Sequence, residues 1–139
     1  MKITFDIEPV QQQRPRATRF GRGIRMYDPP KTAKFKKELR AMAQAQYKGK
    51  PLTGPLKVTF RFYRPIQTSI SKKEHDLRAS GVHRPIVKPD ISNFVKSAED
   101  ALNGVLWEDD KLIVTEVSGK YYADNPRIEM EIETLEEEE

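Results

Sequence analysis

Cysteine is absent from this 139-residue chain, which excludes disulfide bonds and any thiolate zinc site. Histidine is scarce, and His75 and His83 lack the spacing of a metal pair or a catalytic triad, so each reads as a polar surface residue or a phosphate contact. No apolar run approaches the roughly 20 residues of a membrane span, and Met1 to Val10 carry no signal-peptide pattern. A cytoplasmic protein without membrane contact is expected. No internal repeat is present. Only 37% of the residues are hydrophobic against 33% charged, so a single domain of this length has a modest core and should expose arms or find a partner.

What is abundant is charge, and it is divided along the chain. Residues 1–96 carry 22 Lys and Arg against 7 Asp and Glu, a net +15, whereas residues 97–139 carry 3 against 14, a net −11. Arg14, Arg16, Arg19, Arg22 and Arg25 recur almost every third residue around Phe20, Gly21 and Gly23. A basic arm at about 11–29 that follows phosphates is the expectation, set against a merely solvated loop. Lys88 adds a basic residue just before the central segment. The last four residues, 136–139, are all Glu and read as a solvated acidic tail beyond a domain of residues 1–135.

Local patterns sketch an α+β domain. Ile3, Phe5 and Ile7 alternate with polar residues as a first strand. Pro30 suits a first helical position, and Ala33, Phe35, Leu39, Met42, Ala43 and Gln46 form the inner face of a helix to about Tyr47, with Lys34, Lys37 and Arg40 outside. Leu56, Val58, Phe60 and Phe62 alternate with Lys57, Thr59 and Arg61, predicting a strand with a basic polar face. Ser71 and Glu74 have the spacing of a capping box for a short helix through Arg78. Leu112 to Tyr122 and Arg127 to Leu135 read as strands paired around a turn at Asp124, Asn125 and Pro126. The expected fold is a mostly antiparallel or mixed sheet with helices packed on one face.

The densest chemistry lies between Lys88 and Asp110. Phe94, Val95, Ala98, Ala101 and Leu102 make one apolar helical face, Asp90, Ser92 and Asn93 offer caps, and Gly104 stands where helices stop, predicting a helix from about Asn93 to Asn103. Asn93, Lys96 and Asp100 then share a polar face, with Asp90 just upstream. After the turn, Glu108, Asp109 and Asp110 precede a strand and are expected to fold back towards Asp90. Acids around a lysine suit phosphodiester hydrolysis, because oxygen ligands hold magnesium and an ammonium offsets charge developing on phosphate. The same residues also fit an N-cap, a surface ion pair and a solvated turn. Trp107 reads as core or as a pin for that turn, and Tyr63, Tyr121 and Tyr122 as strand residues or base-stacking platforms.

The segment resembles the motif of the RusA family of Holliday junction resolvases, approximately PDxDNxxKxxxDALNG followed by DD. Pro89, Asp90, Asn93, Lys96, Asp100, Ala101, Leu102, Asn103, Gly104, Asp109 and Asp110 all match. Arg14, Pro15, Arg16, Tyr27, Pro30 and Thr32 resemble the family's basic segment and the start of its first helix, so the likeness spans roughly residues 9 to 117. It implies a homodimer that nicks branched DNA, a four-way junction, with Mg2+ (Mn2+ also suits). Asp90 and Asp110 would hold the metal, with Asp109 and Ser92 as possible further ligands. Lys96 would stabilise the phosphate, and products would carry a 5′-phosphate and a 3′-hydroxyl.

One position departs from the family pattern: Ser92 stands where the second Asp of DxD is expected. A neutral hydroxyl there is either a weak oxygen ligand or a helix cap, and the lost charge should weaken divalent-ion binding. Two other functions fit the same residues: a nuclease of broader specificity for flaps, forks or single strands, and a non-catalytic DNA-binding protein with a decayed metal site. A magnesium titration of cleavage separates the second from either enzyme.

Overall fold

The computed structural model describes residues 1–135; the tail of residues 136–139, expected to be solvated, lies outside them. In chain order the elements are β1 (Lys2–Phe5), β2 (Arg16–Phe20), β3 (Gly23–Tyr27), α1 (Pro30–Gln46), β4 (Leu56–Pro65), α2 (Lys72–Ala79), α3 (Ile91–Leu102), a 3-10 turn (Asp110–Leu112), β5 (Ile113–Ala123) and β6 (Arg127–Thr134). The fold is α+β. Four strands form one sheet in the order β1-β6-β4-β5, and β2 and β3 form a separate hairpin.

β4 organises the core, as its strict alternation predicts. Leu56, Val58, Phe60 and Phe62 are fully buried, packed with Ile128, Met130 and Ile132 of β6 and Ile3 and Phe5 of β1. α1 closes this face with Phe35, Leu39 and Ala43, and α3 with Phe94, Ala98, Ala101 and Leu102. Phe62 lies between the rings of Phe60 and Phe94, 5.3 Å from each. Each such side chain stabilises the fold by about 1.5–3 kcal/mol on burial. Ala33 and Gln46, expected inside α1, are exposed. Thr32 is buried instead, its hydroxyl donating to the Gln11 carbonyl and Gln13 Oε1, both at 3.1 Å.

The opposite face of β4 is not the basic surface its own residues suggest. Arg61 donates to Glu129 (3.2 Å) and Glu131 (2.9 Å), its antiparallel neighbours on β6. Arg127 bonds Glu129 at 2.7 Å. Tyr63 and Tyr121 stack on each other at 5.1 Å, and Arg127 and Arg84 cover their outer faces. Those rings are committed to packing.

The expected pairing of the last two strands is corrected. β5 runs parallel to β4 on one side while β6 runs antiparallel to it on the other, so β4 separates strands that follow each other in sequence. The link at Asp124, Asn125 and Pro126 crosses the end of β4, where Ile66 N–H donates to the Ala123 carbonyl. Long, regularly apolar β4 offers both neighbours a fully buried partner, and that outweighs local turn chemistry. The outer edge of β5 pairs with no other strand among the described residues, and Val114 and Val117 are exposed there.

α2 begins as the capping box predicts, with Ser71 Oγ accepting from Glu74 N–H at 3.1 Å. The two histidines serve the scaffold: His75 on α2 bonds Asp124 (2.8 Å), and His83, beyond the helix, bonds Glu74 (3.0 Å).

Candidate active site

α3 starts two residues earlier than its caps suggest. The Asp90 carbonyl already accepts from Asn93 N–H at 3.0 Å, so Asp90 is the N-cap residue and Ser92 lies exposed within the first turn. The capping reading of Ser92 is therefore corrected. The Asp90 carboxylate makes no capping hydrogen bond, although Asp at this position commonly accepts from the first-turn N–H groups. The backbone leading to it is held from the sheet: Lys120 Nζ donates to the carbonyls of Val87 (3.1 Å) and Pro89 (3.0 Å), and Arg64 to that of Lys88 (3.0 Å). Segment and helix are thus fixed, while Asp90, Ser92 and Lys96 remain exposed.

The far end of α3 is built around Asn103. Gly104 adopts φ +78°, a left-handed conformation that favours glycine, and turns the chain back so that its N–H bonds the Trp107 carbonyl at 2.7 Å. Fully buried Trp107 donates Nε1–H to Asn103 Oδ1 at 2.7 Å, and Asn103 Nδ2 donates to Asp110 Oδ2 at 3.1 Å. Trp107 is both core residue and pin. Asp109 caps the following turn, accepting from Lys111 N–H at 2.9 Å.

Asp90 and Asp110 are therefore not brought together. Asp90 stands at the N-cap position of α3 and Asp110 is bonded to Asn103 at its C-cap position, and those two ends lie about 20 Å apart along the axis at roughly 1.5 Å per residue. The expected fold-back towards Asp90 does not occur. Among the described residues no three Asp, Glu or His side chains form a ready-made metal cage.

Acids do gather at the Asp110 end. Glu99 of α3 lies close to Glu116 of β5, and its carboxyl is pushed up to about 9 by burial, by its interaction with Glu116 and by the nearby charges of Asp110 and Asp100. Sequence reading missed both glutamates. Glu99 lies four residues before Asn103, which places both on one helical stripe, but Glu116 reaches it only through the parallel pairing of β5 with β4. These are hard oxygen donors, the kind that magnesium and manganese take, though Glu99, Glu116 and Asp110 do not stand as a ready-made cage.

Lys96 and Asp100 do not form the surface pair that their spacing also fits. Asp100 bonds Lys36 of α1 at 3.3 Å, and the same ammonium binds Asp28 at 2.8 Å. Burial would raise the Asp28 carboxyl, but hydrogen bonds from Lys36 and Gln12 and the charge of Lys96 hold it below its usual range.

The arm is an ordered hairpin rather than a loop. Arg16 pairs with Tyr27 and Phe20 with Gly23, around a two-residue turn in which Gly21 has φ +57°. Arg14, Arg16, Arg19, Arg22 and Arg25 are all exposed, with no carboxylate partner among the described residues.

Residues 6–133 match the family described as endodeoxyribonuclease RusA. The chain is also 36% identical over 134 residues to a Bacillus subtilis (strain 168) protein named "Uncharacterized protein YqaN", a likeness covering 95% of this chain and 94% of that one.

Proposed function

The chain belongs to the RusA endodeoxyribonuclease family, and from that premise we propose that it is a metal-dependent, homodimeric nuclease that resolves four-way DNA junctions by paired nicks. The metal part of this reading is supported by the acids near the end of α3, where Asp110 is held by Asn103 and stands close to Glu99 and Glu116.

Asp110, oriented by Asn103, would hold one Mg2+ or Mn2+ together with Glu99 and Glu116. Asp90, uncapped and exposed with Ser92 two residues on, would serve a second cation at the opposite end of α3. Asp109 contributes by capping the turn that carries Asp110. Bound metal supplies neutralisation of phosphate charge and an acidified water. Lys96, exposed between the two ends, would offset charge developing on the phosphate. The arginines of the hairpin and Lys88 would track the backbone without reading sequence.

Two symmetric nicks require two sites related by a two-fold axis, which a homodimer supplies. The free, partly apolar edge of β5 is consistent with a chain that does not act alone.

The test is cleavage of a synthetic four-way junction across a magnesium titration. Asp110→Asn and Asp90→Asn are expected to abolish nicking while preserving junction binding, because neither touches the basic surface. Near wild-type cutting by either variant would remove that residue from the site.

A further inference from the structure

The β2–β3 hairpin is a two-stranded sheet standing by itself, with every residue of both strands exposed. Isolated hairpins of this size are marginally stable in water. This one also exposes large apolar side chains, with Phe20 70% and Ile24 76% accessible. An ordered arm of this composition is built to lie against something.

The register shows what the tip offers. Cross-strand partners share a face, so Phe20, Thr18 with Arg25, and Arg16 with Tyr27 lie on one side in that order from tip to base. Opposite Phe20 stands Gly23, which has no side chain, and the space beside Gly21 is open. The Phe20 ring is left uncovered at the end of the arm, with guanidinium groups behind it. At its base the hairpin is tied to α3, because Asp28 binds Lys36, which in turn binds Asp100.

A flat uncovered ring backed by arginines matches one chemistry, an unstacked nucleic-acid base beside its phosphates. A second copy of the hairpin would instead set like charges against each other. In intact duplex the base faces are stacked and closed, whereas a branch point or gap exposes them. Resting on the junction-nuclease reading above, we propose that the hairpin is a sensor for unstacked bases, with Phe20 stacking on a base face exposed at the branch and the arginines holding the flanking backbone. The arm then determines which DNA structure is engaged.

The experiment uses 2-aminopurine placed at the branch of a four-way junction, in the gap of a gapped duplex, or within intact duplex, with EDTA present so that nothing is cut. Wild-type protein is expected to change the fluorescence at branch and gap but not within duplex. Phe20→Ala should lose that change and bind branched and gapped DNA about 5- to 150-fold more weakly, the equivalent of about 1–3 kcal/mol for one base stacked on an aromatic ring. Its affinity for intact duplex should hold, and Phe20→Trp should keep the signal. Equal weakening on all three DNAs, or the same fluorescence response from Phe20→Ala and wild type, would overturn the proposal. So would a Phe20→Ala protein whose dimer dissociates without DNA, since the ring would then be a protein contact. A Phe20-dependent signal on gapped DNA without junction cleavage in magnesium would sink the junction reading but keep the sensor. Junction cleavage without any Phe20-dependent signal would do the reverse.

Discussion

Asn103 holds Asp110: its amide nitrogen lies 3.1 Å from the carboxylate, and its carbonyl oxygen is itself held by the indole of Trp107. One helix-capping residue thus joins the core to the acid that the family motif places after the helix. Because the amide both accepts and donates, its orientation is determined by the two neighbours, and so is that of Asp110.

This relay predicts a separation of stability from catalysis. Trp107→Phe keeps the ring in the core but removes the donor, leaving Asn103 free to turn. Stability should fall by about 1–3 kcal/mol from the buried acceptor left unpaired. Junction nicking should fall further than that loss explains, while junction binding stays near wild type. Urea denaturation, filter binding and single-turnover cleavage measure the three quantities. Nicking that falls only in proportion to the folded fraction would show that the relay does not orient Asp110.

The elements that position this site were legible where one pattern dominated. The Phe94 to Leu102 stripe, the alternation of β4 and the Ser71 cap are local signals, and local geometry satisfies them. What escaped reading was decided over distance. β5 and β6 separate because β4 offers both a better-buried partner than each offers the other. Glu99 meets Glu116 only through that parallel pairing. The hairpin was hidden for a different reason: arginines stand on both of its exposed faces, so the short alternation of Ile24, Arg25 and Met26 marks no buried face.

The Glu99–Glu116 contact predicts a pH dependence with a definite sign. The folded-state carboxyl of Glu99 titrates near 9 because of burial and the adjacent acids, well above its ordinary value of 4.5. A carboxyl raised on folding binds protons more tightly in the native state, so its contribution is complete below about pH 4.5 and is lost as pH rises towards 9. In metal-free buffer, wild-type stability should therefore decline across that window. Glu99→Gln should flatten the decline, and Glu116→Gln should lower the Glu99 value measured by carboxyl NMR. A Glu99 resonance that titrates near 4.5 in the wild type would refute this picture.

The hairpin arginines predict a salt effect. Arg16→Ala with Arg19→Ala should weaken binding to any DNA and reduce the slope of log affinity against log salt by roughly 1 to 2, since each phosphate contact contributes about 0.9. Base preference should hardly change, because phosphate contacts carry no sequence information. An unchanged slope would show that these guanidinium groups stay in solvent when DNA binds.

Ser92 gives the sharpest test of the departure from the family pattern. It lies within the first turn of α3 and exposed, two residues after an Asp90 whose carboxylate caps nothing. Since Ser92 is not the cap, Ser92→Ala should change stability by less than about 0.5 kcal/mol, as surface substitutions usually do. Ser92→Asp places a negative charge in the first helical turn, which should stabilise by about 0.3–1 kcal/mol through the helix dipole. If Asp90 and residue 92 together face a cation, that same carboxylate should lower the magnesium concentration needed for half-maximal nicking, because affinity rises with ligand charge. Ser92→Ala should raise it, or leave it unchanged if the hydroxyl never reached the ion. Identical metal titrations for wild type, Ser92→Ala and Ser92→Asp would remove Ser92 from the metal site and leave Asp90 alone at that end of the helix.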